Sequence, residues 1–451
     1  MNLIRKYNVP GPRYTSYPTV PYWNTQPPTT EEWTNKVKNC FDVTNKKNGI
    51  ALYIHLPFCE SLCTYCGCNT RITVNHTVES PYITAVLKEW KMYCTLFNEI
   101  PRIKEIHLGG GTPTFFSSKN LKTLIEGILH NSLVCADAEF SFEAHPNNTT
   151  AEHLKALFEL GFRRLSLGIQ DFDPKVQEIV HRIQSFESVE KVVKIARNMG
   201  YTSINFDLIY GLPLQTRKSV IDTINKVNLL RPDRIAFYSY AHIPWVKPGQ
   251  RKFTETDLPI DEEKRALYEI GKEKFSENGY IEIGMDHFAL KSDTLYESSK
   301  NGKLHRNFMG YSHSYTQLMI GLGVSSISDT WNAYAQNVKK VEDYYEKLNS
   351  NEFPIFKGHL LSEEDLIIRK HILNTMCKFE TNWEDKSMQC KAVYDAIERL
   401  KDIEKDKFIE LSPFHLKINK SGIPFIRNVC IAFDSKLWQN IPQSQLFSTT
   451  V

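Results

Sequence analysis

The sequence predicts an α/β protein built on a partial (β/α)6 barrel, in which a sheet of parallel strands is covered by helices. Between residues 49 and 278, short apolar runs alternate six times with longer stretches of helical periodicity. This alternation is typical of a parallel sheet with crossover helices. Polar and glycine residues gather just after the apolar runs, where the loops of barrel folds form binding sites. Six units are too few to close an eight-stranded barrel, so we expect a partial one.

The predicted elements follow the chain in pairs of one strand and one helix. The strands are residues 50–56, 104–108, 139–143, 163–167, 203–209 and 234–240. The helices that follow them are residues 82–97, 120–129, 151–160, 185–199, 216–230 and 260–278. The strand runs are short and apolar, whereas the helical stretches repeat their apolar residues every three to four positions.

Two segments lie outside this rhythm. Residues 1–48 contain six prolines and one short helical stretch at 30–40, which predicts an N-terminal arm or lid. After residue 340 the rhythm stops. The remaining predicted elements are helices at 341–348, 363–376, 391–400 and 425–433 and a hairpin at 409–418. We therefore expect an arm over residues 1–48, a partial barrel over 49–340 and a smaller, mainly helical C-terminal domain over 341–451.

The bulk composition excludes several classes of protein. The 55 Lys and Arg residues are interspersed with 52 Asp and Glu residues and leave a net charge of +3, so no basic face for nucleic acid is expected. The N-terminal residues reach Pro10 before any apolar core of a signal peptide. No window approaches the roughly eighteen uncharged apolar residues of a membrane span. We expect a soluble, cytoplasmic protein, and a monomer because no heptad repeat or long apolar stripe is present.

Four of the ten cysteines, Cys59, Cys63, Cys66 and Cys68, fall within ten residues. The first three can converge on one metal centre in the loop after strand 50–56, and thiolates favour zinc or iron–sulfur. A structural zinc site usually has a second ligand pair downstream, and none is present. An iron–sulfur cluster with three protein ligands leaves one iron open for reaction. Unligated thiols, a structural zinc site and a four-cysteine electron-transfer cluster that includes Cys68 stay as alternatives.

Further polar residues stand at the ends of the predicted strands. The run Gly109-Gly110-Gly111-Thr112-Pro113 follows the second strand, and glycine lets a ligand approach the backbone closely. Glu143, Gln170 and Asp207 end or closely follow later strands, and Arg182 precedes a helix. Because the carboxyl ends of parallel strands share one edge of a sheet, these positions predict one polar site.

The CxxxCxxC spacing, with Tyr65 before the last cysteine, resembles the radical S-adenosylmethionine (SAM) superfamily. In that superfamily the open iron of a 4Fe–4S cluster chelates SAM. Motifs along nearly the whole chain also resemble the oxygen-independent coproporphyrinogen III dehydrogenases, also named anaerobic oxidases. These motifs are residues 7–18 (YNVPGPRYTSYP), 53–59 (YIHLPFC), 66–69 (CGCN), 168–172 (GIQDF), 207–213 (DLIYGLP), 284–288 (GMDHF), 304–308 (LHRNF) and 427–430 (RNVC).

The resemblance implies roles for individual residues. Cys59, Cys63 and Cys66 would ligate the cluster, and Cys68 would be the nearby cysteine that does not. The positions that match SAM contacts, for two SAM molecules, are Tyr53, Tyr65, Gly110, Gly111, Thr112, Glu143, Gln170, Arg182, Asp207, Ala241 and Ile327. Arg13 and Tyr14 on the arm, together with Cys68 and Phe308, are the candidates for contact with substrate.

The resemblance also implies an activity and its partners. A 5′-deoxyadenosyl radical would take a hydrogen from the β-carbon of a propionate side chain. Loss of CO2 and one electron would then leave a vinyl group. Repeated at a second propionate, this converts coproporphyrinogen III, a small-molecule tetrapyrrole, to protoporphyrinogen IX in haem biosynthesis. The cofactors carry the difficult chemistry, and an electron donor protein of unknown identity would reduce the cluster.

One stretch departs from the family pattern. After Phe308 the family commonly has Gln and then Gly-Tyr-Thr-Thr, whereas this chain has Met309-Gly310-Tyr311-Ser312-His313, and residues 314–317 also differ. The departure bears on substrate contacts in this loop. It is explained either by drift that nearby residues compensate or by a radical SAM enzyme that acts on another tetrapyrrole, for which it is the one favourable feature. A haem-binding trafficking protein is a further alternative, but such relatives typically lack the cysteine matching Cys68 and the arm motif, and both are present here.

Overall fold

The computed structural model of the protein describes residues 3–245, 247–442 and 446–450. The strands are β1 (Ile50–Leu56), β2 (Phe58–Cys59), β3 (Arg71–Ile72), β4 (Arg102–Gly110), β5 (Leu133–Ala144), β6 (Phe162–Gln170), β7 (Ser203–Tyr210), β8 (Arg234–Ser239), β9 (Tyr280–Gly284), β10 (His287–Leu290), β11 (His305–Asn307), β12 (Gly310–Ser312), β13 (Met319–Leu322), β14 (Ile327–Asp329), β15 (Ala333–Asn337), β16 (Ile355–Leu360), β17 (Glu380–Asn382), β18 (Ile409–Ser412) and β19 (His415–Ile418).

The α-helices pack mainly on the outside of the sheet and in the C-terminal part. They are α1 (Leu3–Tyr7), α2 (Thr30–Asn48), α3 (Glu79–Cys94), α4 (Ser118–Leu129), α5 (Ala151–Glu159), α6 (Pro174–Ile179), α7 (Phe186–Met199), α8 (Arg217–Leu230), α9 (Asp261–Glu277), α10 (Thr294–Lys300), α11 (Val341–Asn349), α12 (Glu363–Lys378), α13 (Lys391–Lys405), α14 (Ile426–Phe433) and α15 (Ser435–Gln439). None of the helices in the described ranges has the length and apolar character needed to cross a membrane.

A twelve-stranded sheet organises the molecule, in the order β16-β15-β14-β13-β1-β4-β5-β6-β7-β8-β10-β9. The six predicted strands correspond to β1 and β4 to β8, and each pairs in parallel with the next. Side chains such as Leu52, Ile54 and Ile106 are fully buried between the strands and the outer helices. The α/β class with a central parallel sheet is therefore confirmed.

The sheet extends on both sides of the six predicted strands. The hairpin of β9 and β10 pairs with β8 on one side. On the other side β13 pairs in parallel with β1, and β14, β15 and β16 follow in antiparallel order. These strands have three to six residues, and no helix separates β13 from β14 or β14 from β15, so the strand–helix rhythm did not indicate them. The last of these strands, β16, belongs to the main sheet and lies after residue 340. The boundary between the barrel and the C-terminal domain at residue 340 stays a prediction.

The N-terminal arm is bound to the C-terminal part of the chain. Tyr7, Tyr14 and Tyr17 are buried in a second hydrophobic core formed with α12, α13 and α14. Pro10 forms an isolated antiparallel bridge with Thr449. The predicted arm and C-terminal domain thus share one core. Residues 1–2 of the arm and residues 443–445 and 451 of the C-terminal part lie outside the described ranges.

Candidate active site

Three of the clustered cysteines line one cavity at the carboxyl end of β1. The chain leaves β1 at Leu56, and β2 pairs with β3 to start the loop that carries Cys63 and Cys66. The cavity has a volume of about 240 Å³. The other predicted site residues in its wall are Tyr65, Gly111, Thr112 and Arg182. The structure thus brings together predicted residues from three separate segments of the sequence.

Hydrogen-bond donors surround the sulfur atoms. The Thr112 hydroxyl lies 3.3 Å from Cys59 Sγ, and Arg182 Nη1 lies 3.8 Å from Cys63 Sγ. Burial raises the pKa of Cys59 to about 11, despite the Thr112 hydrogen bond. A hydrogen bond with Cys68 lowers the pKa of Cys66, against the effect of burial. Cys68 thus contacts a predicted ligand.

The three thiols are spread around the cavity. Within the described residues, no three His, Cys, Asp or Glu side chains stand close enough to hold a single metal ion. A structural zinc ion needs four ligands at about 2.0–2.3 Å from one centre. The structure places these three thiols, Cys59, Cys63 and Cys66, in the wall of one cavity.

The glycine run places backbone and a carboxylate beside this cavity. The Gly110 N–H donates to Glu143 Oε2 at 3.2 Å, and His107 Nε2 lies 3.5 Å from Glu143 Oε1. Burial opposes ionisation of Glu143, but the hydrogen bonds from His107 and from the Gly110 N–H lower the pKa of this carboxyl. The Tyr53 ring stacks on His107 at 6.0 Å. Glu143 is therefore an anchored anion that can receive an ammonium group.

Gln170, Arg182 and Asp207 continue the site along the sheet edge. The Arg182 Nη2 donates to the carbonyl of Gly168 at 2.5 Å, whereas its buried Nε has no partner within the described residues. Asp207 accepts hydrogen bonds from Ser166 and Asn205 at 2.9 Å each. Burial, together with the negative charge of Glu143, raises the pKa of Asp207 to about 6.

A second cavity of about 220 Å³ occupies the inside of the curved sheet. Glu143 and Asp207 line it from the parallel strands, and Met309 lines it from the β11–β12 hairpin. The departure from the family pattern at residue 309 thus faces the interior of the sheet.

The remaining predicted site residues lie outside the walls of both cavities. The Ala241 carbonyl accepts from Gln250 at 3.2 Å, and Ile327 begins β14. Phe308 packs edge-on against Trp23 and Tyr334. Tyr14 is 2% exposed and donates to Asp434 within the C-terminal core, so as the structure stands its side chain does not cover either cavity.

Arg13 has a different position from Tyr14. Its Nη1 pairs with Asp286 at 2.9 Å, and its Nη2 donates to the Ser239 carbonyl at the end of β8. It lines a small separate cavity with Arg427. Arg13 thus joins the arm to the end of β8 and to the turn between β9 and β10.

Two histidines of the site were not predicted from the sequence. His107 orients Glu143 and also contacts Ser141 Oγ at 2.7 Å. His145 lines the cysteine cavity, and burial lowers its pKa to about 3. The alternation of side chains along β4 places His107 on the same face as Gly109, which is the signal that could have found it. His145 lies two residues after Glu143, in the loop beyond β5, and only the folded loop brings it to the cavity.

Comparison with known proteins agrees with this geometry. Residues 53–227 match the family model of the radical SAM superfamily. An oxygen-independent coproporphyrinogen III oxidase of Synechocystis is 36% identical over 100% of this chain and 97% of its own length. The enzyme of the same name from Helicobacter pylori strain 26695 is 38% identical over 96% of this chain and 95% of its own.

A solved structure is similar over almost the entire chain. The coproporphyrinogen III oxidase of Escherichia coli, described as a radical SAM enzyme, superposes with a TM-score of 0.88 and 34% identity. The alignment covers 94% of this chain and 97% of that one. This chain belongs to the family of oxygen-independent coproporphyrinogen III oxidases, within the radical SAM superfamily.

Proposed function

We propose that this protein converts coproporphyrinogen III to protoporphyrinogen IX, by oxidative decarboxylation of two propionate side chains, in haem biosynthesis. The observation that carries the proposal is the full-length likeness to enzymes of that name. It is supported by the convergence of Cys59, Cys63 and Cys66 on one cavity beside Glu143 and Arg182. The cofactors of the superfamily are a 4Fe–4S cluster and SAM, and we propose two SAM molecules here.

The residues of the cysteine cavity fit such a group. Three thiols that are spread around about 240 Å³ can bind three irons and leave a fourth open. The buried, unpartnered Nε of Arg182 needs an acceptor, because an unpaired buried donor costs about 1–3 kcal/mol. A sulfide or a SAM carboxylate in the cavity would supply one. Cys59, Cys63 and Cys66 would hold the cluster, and Glu143 with the backbone of Gly110 and Gly111 would hold SAM.

When bound, these cofactors would supply radical chemistry for removal of a propionate β-hydrogen, and loss of CO2 with transfer of one electron to an acceptor would then give the vinyl group. The chain contributes orientation and the exclusion of water. Glu143, kept ionised by His107, can fix an ammonium group in one position. Arg182 provides positive charge beside the thiolates, and Asp207 accepts from Ser166 and Asn205, which fixes its carboxylate toward the barrel interior.

The partners and the setting are part of the proposal. We infer that a separate donor protein supplies the electron that reduces the cluster. All ten cysteines, each within the described residues, are free thiols, which is typical of a reducing compartment. We therefore propose a cytoplasmic protein, and a monomer because the site is built from one chain.

The test is an anaerobic assay of the reconstituted protein with SAM, dithionite and coproporphyrinogen III. We expect protoporphyrinogen IX and 5′-deoxyadenosine as products. Cys63→Ala should lose the visible absorbance of the cluster and lower product formation at least 100-fold. Cys94→Ala, which removes a half-buried thiol of α3, is the matched control and should keep both. SAM cleavage with no decarboxylation would contradict the proposal.

A second candidate is a radical SAM reaction on another tetrapyrrole. The observation in its favour is that Met309, where the family commonly has Gln, lines the barrel interior. A thioether cannot donate a hydrogen bond as the amide does. If Met309→Gln raises turnover of coproporphyrinogen III more than tenfold, the native loop is adapted to a different substrate. An unchanged rate favours the first function.

A further inference from the structure

A groove of about 530 Å³ lies between the C-terminal helices and the sheet. It is at the opposite end of the sheet from the cysteines. Met319 begins β13 and pairs with Ala51 near the start of β1, and Asp329 at the end of β14 pairs with Met319. Tyr315 and Trp331, which flank these strand ends, line the groove. The cysteines instead follow the carboxyl end of β1.

Three lysines give the lining of the groove a positive charge. Lys303 follows α10, and Lys370 and Lys378 project from α12. None of these lysines forms an ion pair with the parts of the chain that the structure describes. Among the residues that the structure describes, no Asp or Glu is part of this lining. The remaining lining residues are Gly302, Leu304, His305, His313, Leu373, Asn374, Cys377 and Met388.

One side of the groove is aromatic. The rings of His305 and Tyr315 lie 4.5 Å apart, and those of Tyr315 and Trp331 lie 5.7 Å apart. The Arg369 guanidinium covers one side of the Trp331 indole at 4.2 Å, and Asp329 fixes this guanidinium through two hydrogen bonds. The groove therefore has a rigid aromatic wall.

The backbone at Trp331 is strained. Its φ is +70°, a left-handed conformation that costs a bulky residue about 1–2 kcal/mol. Strain of this kind persists where the surrounding structure holds it and is concentrated at functional sites. The Trp331 side chain at this position is half-buried and lines the groove.

Two histidines of the groove have ring nitrogens with no hydrogen-bond partner among the described residues. The Nε2 of His313 lies 3.3 Å from Glu139, but its buried Nδ1 has no partner among the described residues. Neither ring nitrogen of His305 is hydrogen-bonded there. Burial lowers the pKa of His313 to about 4 and that of His305 to about 3. Both rings are therefore neutral at pH 7, and the positive charge comes from the lysines.

We propose that this groove is a second binding site, separate from the catalytic cavities, for a planar aromatic carboxylate of the porphyrin class. The aromatic wall offers faces and edges to a flat ring, and the lysines offer charged donors to carboxylates. Lys370 and Lys378 are eight residues apart on α12, or about 12 Å along the helix axis. This spacing suits carboxylates at the rim of a large ring better than one compact polyphosphate.

The ligand class rests on the proposed function, because the enzyme then works among carboxylated tetrapyrroles. The groove and the barrel also share one hairpin. Asn307, Gly310 and Ser312 of β11 and β12 line the barrel cavity, whereas His305 and His313 at the ends of the same hairpin line the groove. His313 and Tyr315 both lie in the segment that departs from the family pattern, so the groove is a feature of this chain's own residues.

The test is direct binding of protoporphyrin IX to the full-length reconstituted protein, followed by the shift of its Soret band. The triple variant Lys303→Gln, Lys370→Gln, Lys378→Gln should bind at least tenfold more weakly. The control triple variant Lys391→Gln, Lys407→Gln, Lys417→Gln removes the same charge from exposed positions outside the groove and should bind normally. ATP in millimolar excess should not displace the porphyrin.

Two further measurements separate this proposal from the proposed function. Coproporphyrinogen III turnover by the groove variant should stay within twofold of the native rate, because its three lysines are outside the catalytic cavities. Glu143→Gln should lose turnover and keep porphyrin binding. Native affinity in the groove variant would overturn the proposal, as would loss of binding in Glu143→Gln. Porphyrin binding by the groove with no turnover by the native protein would overturn only the proposed function.

Discussion

At the scale of single residues, Gly110 ends β4 and its backbone N–H donates to Glu143 in the site. Its φ is +112°, and a Cβ at this position would lie 2.7 Å from the His55 ring. That ring cannot retreat easily, because it contacts the Tyr53 hydroxyl at 3.1 Å and the Asn69 carbonyl at 2.8 Å. The Gly110 N–H in turn holds Glu143. Gly110 thus meets both the conformational and the steric requirement for glycine.

We therefore predict that Gly110→Ala destabilises the protein by about 1–3 kcal/mol through the backbone strain alone, with the overlap adding to this. It should also weaken SAM binding at least tenfold, because the backbone shift that relieves the overlap with His55 moves the N–H at this position away from Glu143. Thermal unfolding and calorimetric titration of SAM measure the two effects. Gly249→Ala is the control, since its Cβ meets only ordinary contacts from 3.7 Å outward. Native SAM affinity in Gly110→Ala would contradict the role given to this glycine.

At the scale of elements, the buried carboxylate of Glu89 connects α3 to three other parts of the fold. It accepts hydrogen bonds from the Gly323 N–H at 2.8 Å, from Asn337 Nδ2 at 2.7 Å and from the Tyr344 hydroxyl at 2.6 Å. Burial raises the pKa of Glu89 to about 7, although these donors oppose the shift. The folded protein thus keeps a proton that the unfolded chain releases near pH 4.3.

This difference predicts a pH-dependent stability. As the pH rises from about 4.5 to about 7, the unfolded chain loses the Glu89 proton first, so the free energy of unfolding falls. The contribution of this one group is up to about 3 kcal/mol at 1.36 kcal/mol for each pH unit. Urea unfolding of the native protein and Glu89→Gln at pH 5 and pH 7.5 isolates it. The native protein should lose at least 1 kcal/mol more than the variant over this interval, and Glu126→Gln on the exposed face of α4 should behave as native.

The elements also show what the sequence could and could not predict. The six parallel strands were found because a helix follows each of them, and the repeat of apolar residues along a helix differs from the short apolar run of a strand. The strands β13 to β16 were missed because they are short and are recognised only by their pairing with β1 and with each other. In the site, the cysteine spacing is local and was readable. The contact of His107 with Glu143 joins residues 36 positions apart and needs the register of β4 and β5.

At the scale of the whole molecule, the two ends of the chain form a clasp, made of residues 10–14 of the arm and residues 427 and 448–450. Arg427 is 4% exposed, and its Nε donates to the Pro12 carbonyl at 3.0 Å. Its Nη1 donates to the Thr449 carbonyl at 2.7 Å, and its Nη2 donates to the Gly11 carbonyl. The Arg427 side chain thus holds the arm segment and the C-terminal segment of the clasp together. Beyond it Arg13 reaches Asp286 at the edge of the main sheet.

We predict that Arg427→Ala releases the arm. Three buried carbonyls would lose a charged donor, at a cost of about 2–4 kcal/mol. The backbone on either side of Arg13 would then no longer be held in the position that directs this side chain to Asp286. Limited proteolysis within residues 10–18 should become at least tenfold faster. Arg5→Ala removes a side chain of the same arm that is 70% exposed and should leave the cleavage rate unchanged. If the arm closes the site, Arg427→Ala should also form more 5′-deoxyadenosine for each vinyl group, because radicals then react without decarboxylating the substrate. A native ratio of the two products, together with rapid cleavage of the arm, would restrict the clasp to a structural role.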